Sequence, residues 1–177
     1  MVTAQIEART KTEGWNMIDF YSYKDGYCAI GVPKSGLPFE DAEQEGAQMV
    51  GISSEGDMEC LCIFYDDALK ETRRMALNDI VSTAAMAKWT VSHDGTLLIY
   101  CDNWEGLNFY NLKSQKKQKV MDLWTEENNI DLLGVSALFV DEDNSHIVFS
   151  GTSNQNGTSV PSWGQVGIDG KGYENHI

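Results

Sequence analysis

The stretch KWTVSHDGTLLIYCDNWEGLNFYNLKSQKKQKV, residues 88–120, decides the fold. Two apolar runs of strand length flank the turn His93-Asp94-Gly95, and a second polar turn, Asp102 to Gly106, leads into the aromatic run Leu107 to Leu112. Asp-Gly between apolar runs predicts a tight hairpin, because such a turn needs a positive φ that glycine adopts without a Cβ clash. The stretch therefore predicts an antiparallel meander.

The same pattern occurs three times along the chain. Aligned on the turn aspartate, the copies begin at Asp19 (DFYSYKDGYCAIGV), Lys88 (KWTVSHDGTLLIYC) and Ala137 (ALFVDEDNSHIVFS). A third strand aligns as well, with LNFYNLKS from Leu107 in the middle copy, AQMVGISSEG from position 47 in the first and WGQVGIDGKG from position 163 in the last. Repeats at such spacings are typical of solenoids, propellers and arrays, in which neighbouring sheets stack to cover each other's faces.

We therefore predict an all-β fold of antiparallel meander repeats, β-propeller-like, with three recognisable blades. The units fall at about residues 17–65, 88–124 and 135–177 of a single β-repeat domain spanning 1–177, with 1–14 as a terminal strand or tail. Stacking four-stranded meanders radially shortens and protects strand edges. The third unit stops at Tyr173 to Ile177, where its fourth strand should begin, which indicates a partial or open propeller. Either the terminal stretch VTAQIEA completes it, or a longer chain or an assembly does.

SHDGTLLIY, followed by a turn, LNFYNLKS and a basic strand, resembles the repeat of TolB-type and WD-like bacterial β-propellers. WGQVGIDGKGYENHI resembles the closing half of such a repeat, so the likeness covers roughly residues 17 to 177. No Trp-Asp dipeptide ends any unit, and the first unit carries a long insertion. The resemblance implies a cell-envelope or extracellular setting and supplies no ligand.

Charge and hydropathy limit the classes of partner. The 13 basic and 27 acidic residues give a net charge of -14, which disfavours nucleic acid and anionic membranes and favours cationic partners. No run of eighteen apolar residues is present, and the first twenty residues lack the order of a signal peptide. We expect no membrane insertion; the compartment stays undetermined.

Two charged segments have functional and structural interpretations. Pro33 to Glu45 carries prolines and acids, and it is either a loop that captures a basic partner or a solvated insertion. Lys113 to Lys119 is basic, but a nucleic-acid site needs several such runs, so we expect an outer edge strand there.

Asp66 to Ala87 has helix-compatible charges, yet its β-branched residues favour strand, turn and strand.

Neither the cysteines nor the acidic turn predicts a metal site. Cys60 and Cys62 alternate onto one face of a strand, whereas zinc and redox sites use the CxxC spacing. We expect all four cysteines to be buried core thiols. The run Asp141 to Ser145 has alternating oxygens but lacks the glycine and distal glutamate of an EF-hand, so a hairpin turn explains it better than calcium. No cofactor is expected.

The candidate binding residues lie in two polar stretches. Gly151 to Trp163, GTSNQNGTSVPSW, is the most loop-like part of the chain, and long loops on rigid β scaffolds often bind ligands. Its amides and aromatic ring, Asn154, Asn156 and Trp163, together with Trp104 in the turn of the middle unit, are the predicted contacts for a protein or glycan.

No catalytic motif is found: the sequence lacks a G-x-S-x-G elbow, a P-loop, HExxH and a dinucleotide fingerprint. The leading hypothesis is a non-enzymatic binding or scaffolding module that presents loops to a protein or glycan partner. One alternative is an acidic decoy or immunity-type protein that binds a basic partner through the acids of residues 40–45. The other is an accessory propeller domain of a hydrolase. Oligomerisation is open, because the third unit looks unfinished.

Overall fold

A computed structural model describes residues 2, 4–6, 15–33, 60–77, 88–102, 106–125 and 130–177. Apart from the helical residues 2 and 4–6, its regular structure is β. Thirteen strands are described: β1 Trp15–Tyr23, β2 Gly26–Pro33, β3 Cys60–Tyr65, β4 Glu71–Leu77, β5 Lys88–Val91, β6 Leu97–Asp102, β7 Gly106–Asn111, β8 Lys116–Met121, β9 Trp124–Thr125, β10 Ile130–Val140, β11 His146–Gln155, β12 Thr158–Gly167 and β13 Glu174–His176. No helix of the described residues is long and apolar enough to cross a bilayer.

The strands form three antiparallel meanders, with the orders β1-β2-β3-β4, β5-β6-β7-β8 and β13-β12-β11-β10-β9. Consecutive strands pair throughout, as tight turns between short apolar runs dictate. The prediction of an all-β, propeller-like fold built from three meander blades is confirmed. The first sheet extends to Leu77 and the third starts at Trp124, each beyond the predicted unit limits.

The chain divides into two compact units, Met1–Tyr21 with Gly26–Ala85, and Ser22–Asp25 with Met86–Ile177. In the first unit, one face of the sheet forms a hydrophobic cluster with the terminal segment. Its buried members are Ile6, Ala29, Leu61, Ile63 and Tyr65, with Val2, Met17, Phe20, Tyr27 and Leu69 packed against them. The terminal helical segment therefore covers one face of the first sheet.

The second unit has a core between its two sheets. The second sheet contributes Leu97, Ile99, Cys101, Leu107, Val120 and Met121, and the third contributes Leu132, Leu138, Ile147, Phe149 and Val166, with Leu123 between them in sequence. Strand β10 lies against β5 and β6, so the third sheet covers one face of the second. This face-to-face contact is the stacking that the repeats predict.

Several local predictions are tested by the strands. Residues 71–77 form a strand, and the lysine-rich run Lys116–Met121 is the outer strand of its sheet, both as predicted. A terminal strand or a tail is predicted for residues 1–14, and the described residues there, 2 and 4–6, are helical and form no strand. The predicted strand at 47–53 and the acidic loop at 34–45 lie outside the described residues, and β3 fills the third position of the first sheet.

The largest error concerns Gly151 to Trp163, which is a hairpin and not a long loop. Strands β11 and β12 pair without interruption from His146↔Gly167 to Gln155↔Thr158. The two connecting residues both have positive φ, Asn156 at 53° and Gly157 at 81°, which is the primed turn that Asn-Gly favours. The polar composition of the stretch conceals a strong hairpin signal.

Two phenylalanines of the third sheet test which face forms the core. Phe149 is 1% exposed in the core cluster, whereas Phe139, on the neighbouring strand, is 61% exposed. We expect Phe149→Ala to lower the free energy of unfolding by about 3–5 kcal/mol, because a large cavity remains, and the matched Phe139→Ala to lower it by about 0.5 kcal/mol or less. Urea unfolding followed by circular dichroism measures both, and equal losses would contradict this assignment of faces.

Candidate functional site

The predicted contact residues of the third sheet separate into two groups. Asn154 and Asn156 shape the hairpin turn: Asn154 Oδ1 accepts a hydrogen bond from Gly157 N at 2.9 Å, and Asn156 supplies a positive φ. Trp163 stands in the middle of β12 and is 54% exposed. Trp104 lies outside the described residues. The structure therefore leaves Trp163 as a candidate contact on a sheet face and gives the two asparagines a structural role.

Strand register defines two faces of the third sheet, because directly paired residues project to the same side. The inner face carries the buried residues Leu138, Ile147, Phe149 and Val166, which pack in the core of the second unit. The opposite side, here called the outer face, carries Ala137, Phe139, Val148, Ser150, Trp163, Gln165, Glu174 and His176 through the pairs of β10 to β13. Two aromatic side chains of the outer face are exposed, Phe139 and Trp163.

Ring stacking orders the Trp163 end of the outer face. The Trp163 and His176 rings are paired across β12 and β13 and stack with centroids 4.3 Å apart at an angle of 28°. One pair along, Gln165 Nε2 donates to Glu174 Oε2 at 3.1 Å. These contacts hold the Trp163 indole in place and leave it about half exposed.

The outer face carries two of the large hydrophobic side chains that are exposed among the described residues. The large hydrophobic side chains found exposed in those residues all fall within residues 124–177, and they are Trp124, Leu133, Phe139, Trp163 and Ile177. Single exposed hydrophobic residues are ordinary, whereas several on one surface are typical of interaction sites, which makes the outer face the candidate site. Sequence analysis missed Phe139. Alternation along the strand ALFV places its side chain on the face opposite Leu138, and in the structure Phe139 is paired with Val148.

Two hairpin turns of the second unit repeat one hydrogen-bond pattern. Ser92 N donates to Leu97 O at 2.9 Å, and Ser92 Oγ accepts from Leu97 N at 2.9 Å. At the equivalent turn, Asp141 N donates to His146 O at 3.1 Å, and Asp141 Oδ1 accepts from His146 N at 2.9 Å. The equivalence shows that Asp141 to Ser145 is a hairpin turn of the repeat type, as predicted.

Asp94 is the polar centre of its turn. Its carboxylate accepts hydrogen bonds from Ser92 Oγ at 2.7 Å, Thr96 N at 3.0 Å and Thr96 Oγ1 at 2.8 Å. Burial acts to raise the pKa of Asp94, but these bonds and one from the Asn144 side chain hold the pKa well below its ordinary value. Because Asn144 belongs to the next turn of the repeat, Asp94 also links the second and third sheets.

Ser145, His146 and Asp141 meet, but not as a catalytic triad. Ser145 Oγ lies 2.7 Å and Asp141 Oδ2 3.1 Å from the same ring atom, His146 Nδ1. A triad needs the serine on one ring nitrogen and the aspartate on the other. Burial raises the pKa of Asp141, while hydrogen bonds from His146 and Ser145 outweigh it and lower the pKa to about 2. The cluster therefore stabilises a turn.

The cysteines are free and buried, as predicted. Cys28 Sγ and Cys62 Sγ are 3.4 Å apart. Burial, and then the neighbouring thiol Cys62, raises the pKa of Cys60 to about 12, and burial also raises the pKa of Cys28. Thiols so protonated are poor nucleophiles and metal ligands. Within the ranges that the structure describes, no group of His, Cys, Asp or Glu side chains could hold a metal ion.

No protein-family model matches the chain, and no curated protein matches it in sequence. In structure it is similar to the β-propeller domain of the trilobed protease from Pyrococcus furiosus, with 9% identity, a TM-score of 0.49, and 92% of this chain aligned to 42% of that one. It is also similar to the acylaminoacyl peptidase of Pyrococcus horikoshii, with 11% identity, a TM-score of 0.52, and 96% of this chain aligned to 26% of that one.

The chain thus spans less than half the length of either matched structure. The likeness to the acylaminoacyl peptidase supports a β-propeller type of fold. It does not single out the TolB-type or WD-like repeats that the sequence resembles. At such low identity the fold alone is shared, so the chemistry of the chain has to be argued from its own surface.

The turn at Asp94 predicts a pH-dependent contribution to stability. Its carboxylate has a lowered pKa in the folded chain, so its contribution is complete above the unfolded value of about 4 and is lost as the pH falls toward the folded value. We expect Asp94→Asn to cost about 1.5 kcal/mol at pH 7, as for hydrogen bonds to a charged group, and the difference from wild type to shrink below pH 4.

Urea unfolding across pH 2 to 7 measures this difference. The matched control is Asp143→Asn, because Asp143 occupies the equivalent place in the next turn and accepts a long hydrogen bond from Ser145 N at 3.3 Å. The control should lose clearly less stability at pH 7. An equal loss from both variants, or a difference that does not change with pH, would contradict the role given to Asp94.

Proposed function

We propose that the chain is a non-enzymatic, propeller-type binding module that holds a protein partner on the outer face of its third sheet. The observation that carries the proposal is the exposure of Phe139 and Trp163 on one well-ordered sheet face. Aromatic residues at the centre of a patch, with polar groups such as Glu174 at its rim, are the usual anatomy of a protein interface. The binding surface is thus a sheet face and not the loops expected from the sequence.

A glycan is the alternative ligand, and Trp163 would be its stacking platform. Two features favour protein. The His176 ring already stacks on Trp163, and the neighbouring Phe139 and Val148 extend the surface with apolar groups that offer a sugar no hydrogen bonds. Apolar area of this kind matches the core of a protein interface.

The earlier alternatives receive unequal support. The likeness to the acylaminoacyl peptidase of Pyrococcus horikoshii supports a second candidate function, an accessory propeller domain of a hydrolase. The decoy hypothesis depends on acids at 40–45, which lie outside the described residues. A cell-envelope location and the absence of nucleic-acid partners stay predictions.

Affinity capture from cells of the source organism, with quantitative mass spectrometry, tests the proposal. Wild type is compared with Phe139→Asp and Trp163→Ala, and with Lys113→Ser as a control on an exposed turn of another sheet. We expect a protein that wild type and the control retain and that both outer-face variants lose. The captured protein is then purified, and its Kd for each variant is measured by calorimetry.

Loss of a central aromatic anchor costs about 2 kcal/mol or more, which is roughly 30-fold in Kd. Circular dichroism must show that the variants fold as wild type does. Equal binding by wild type and both outer-face variants would contradict the proposal. Capture of a hydrolase whose activity depends on the module would favour the second candidate, and retention on a glycan array alone would favour the glycan.

A further inference from the structure

The chain covers two of its sheet faces in two different ways. In the first unit, the face that carries Ala29 is covered by the terminal segment through Ile6. In the second unit, the face of the second sheet that carries Ile99 and Leu107 is covered by the inner face of the third sheet. Because the three sheets are copies of one repeat, a face that is covered in one sheet can be compared with the face at the same repeat position in another. We make this comparison for the outer face.

The outer face occupies the repeat position of the covered face of the second sheet. Aligning the turn residues Asp94 and Asp143 places Val148 at the position of Ile99. The ladders carry the alignment across the sheets, because Leu107 pairs with Cys101 just as Trp163 pairs with Ser150 at the equivalent position.

The exposures at these equivalent positions differ sharply. Ile99 and Leu107 are 0% and 1% exposed, because another sheet lies on them. Trp163, at the position of Leu107, is 54% exposed. Met121, which pairs with Leu107, is 7% exposed. His176, which pairs with Trp163 at the equivalent position, has half of its side chain exposed. The outer face is therefore a blade-packing face in sequence position and register, and no sheet of the described residues lies on it.

We infer that the protein partner of the outer face is a propeller-type β-blade from outside residues 1–177, which packs face to face as the third sheet packs on the second. This inference rests on the proposed function and names the class of its partner. The contacting side of that blade is apolar, with residues of the kind that Leu138, Ile147 and Phe149 present to the second sheet.

Two observations argue against a second copy of residues 1–177 as the source of that blade. A copy stacked in the same direction would have to offer the face of its first sheet that carries Ala29, and Ile6 already covers that face. The net charge of -14 also makes two copies repel each other. A heterologous partner meets neither obstacle.

Edge features favour packing on the face over addition of a strand to the edge. Strand β13 pairs with Trp163 to Gln165 and leaves residues 158–162 of β12 without a neighbour on that side among the described residues. That uncovered part contains Pro161, which has no N–H to donate to a new strand. The remaining edge on this side of the sheet is β13, which has three residues and is too short for stable strand addition.

Site-specific photocrosslinking of the full chain tests the inference. The photoreactive residue p-benzoylphenylalanine replaces Phe139 on the outer face and, as a matched control, Asn156 at the tip of the same sheet. Cells of the source organism are irradiated, and the linked peptides are identified by mass spectrometry. Thermal melting must show that both substituted chains fold as wild type does.

We expect position 139 to link, with about tenfold higher yield than position 156, to a strand of an antiparallel meander outside residues 1–177. Adding Val148→Arg should remove most of that product, whereas Gln155→Arg at the end of the strand should not. A link to a loop or a helix of a partner would overturn the blade inference and leave the proposed function standing. A link to a second copy, or to another position within residues 1–177, would overturn the assignment of the partner. Absence of any link at 139 would overturn the proposed function itself.

Discussion

The structure depends on one constraint: a small antiparallel sheet that is apolar on both faces cannot remain in water on both sides. Strand β3 shows this most directly, because all six residues from Cys60 to Tyr65 are buried, although they alternate between the two faces. Burying apolar area contributes about 25 cal/mol per Å², so a sheet of this kind gains its stability from what lies on it. Stacking is therefore a condition of folding here and not an embellishment of it.

The turns set the stacking geometry. Asp94 accepts hydrogen bonds from Ser92 in its own turn and from Asn144 in the next turn. The hydrogen bonds that close one hairpin therefore also hold the neighbouring sheet. A carboxylate suits this place because it accepts several hydrogen bonds at once, and charge-assisted bonds are stronger than neutral ones. At the equivalent site of the third sheet, Asp141 fills the position of Ser92 and recruits His146. The turns thus keep one geometry with different side chains.

Much of the fold could be predicted from the sequence, because Asp-Gly turns and apolar alternation act over a few residues. The three meanders and the edge position of Lys116–Met121 follow from such local signals. The loop predicted at 151–163 was wrong, because the polar composition of this stretch is typical of a loop whereas its Asn156-Gly157 pair forms a tight hairpin turn. The outer face could not be predicted: whether Val148 is covered, as Ile99 is, depends on which sheets stack, and one sequence does not specify that.

Exposure of the outer face is compatible with a protein that stays dispersed, because charge and edge design oppose unwanted association. The net charge of -14 repels other copies, and the outer strand Lys116–Met121 places lysines where a flat edge would pair with another sheet. Neither device acts on the centre of the outer face, where Phe139 pairs with Val148 and Trp163 pairs with Ser150, while the acid Glu174 lies at the rim. Association is thus opposed at the edges and between copies, while one face keeps the apolar surface that a complementary partner would bury.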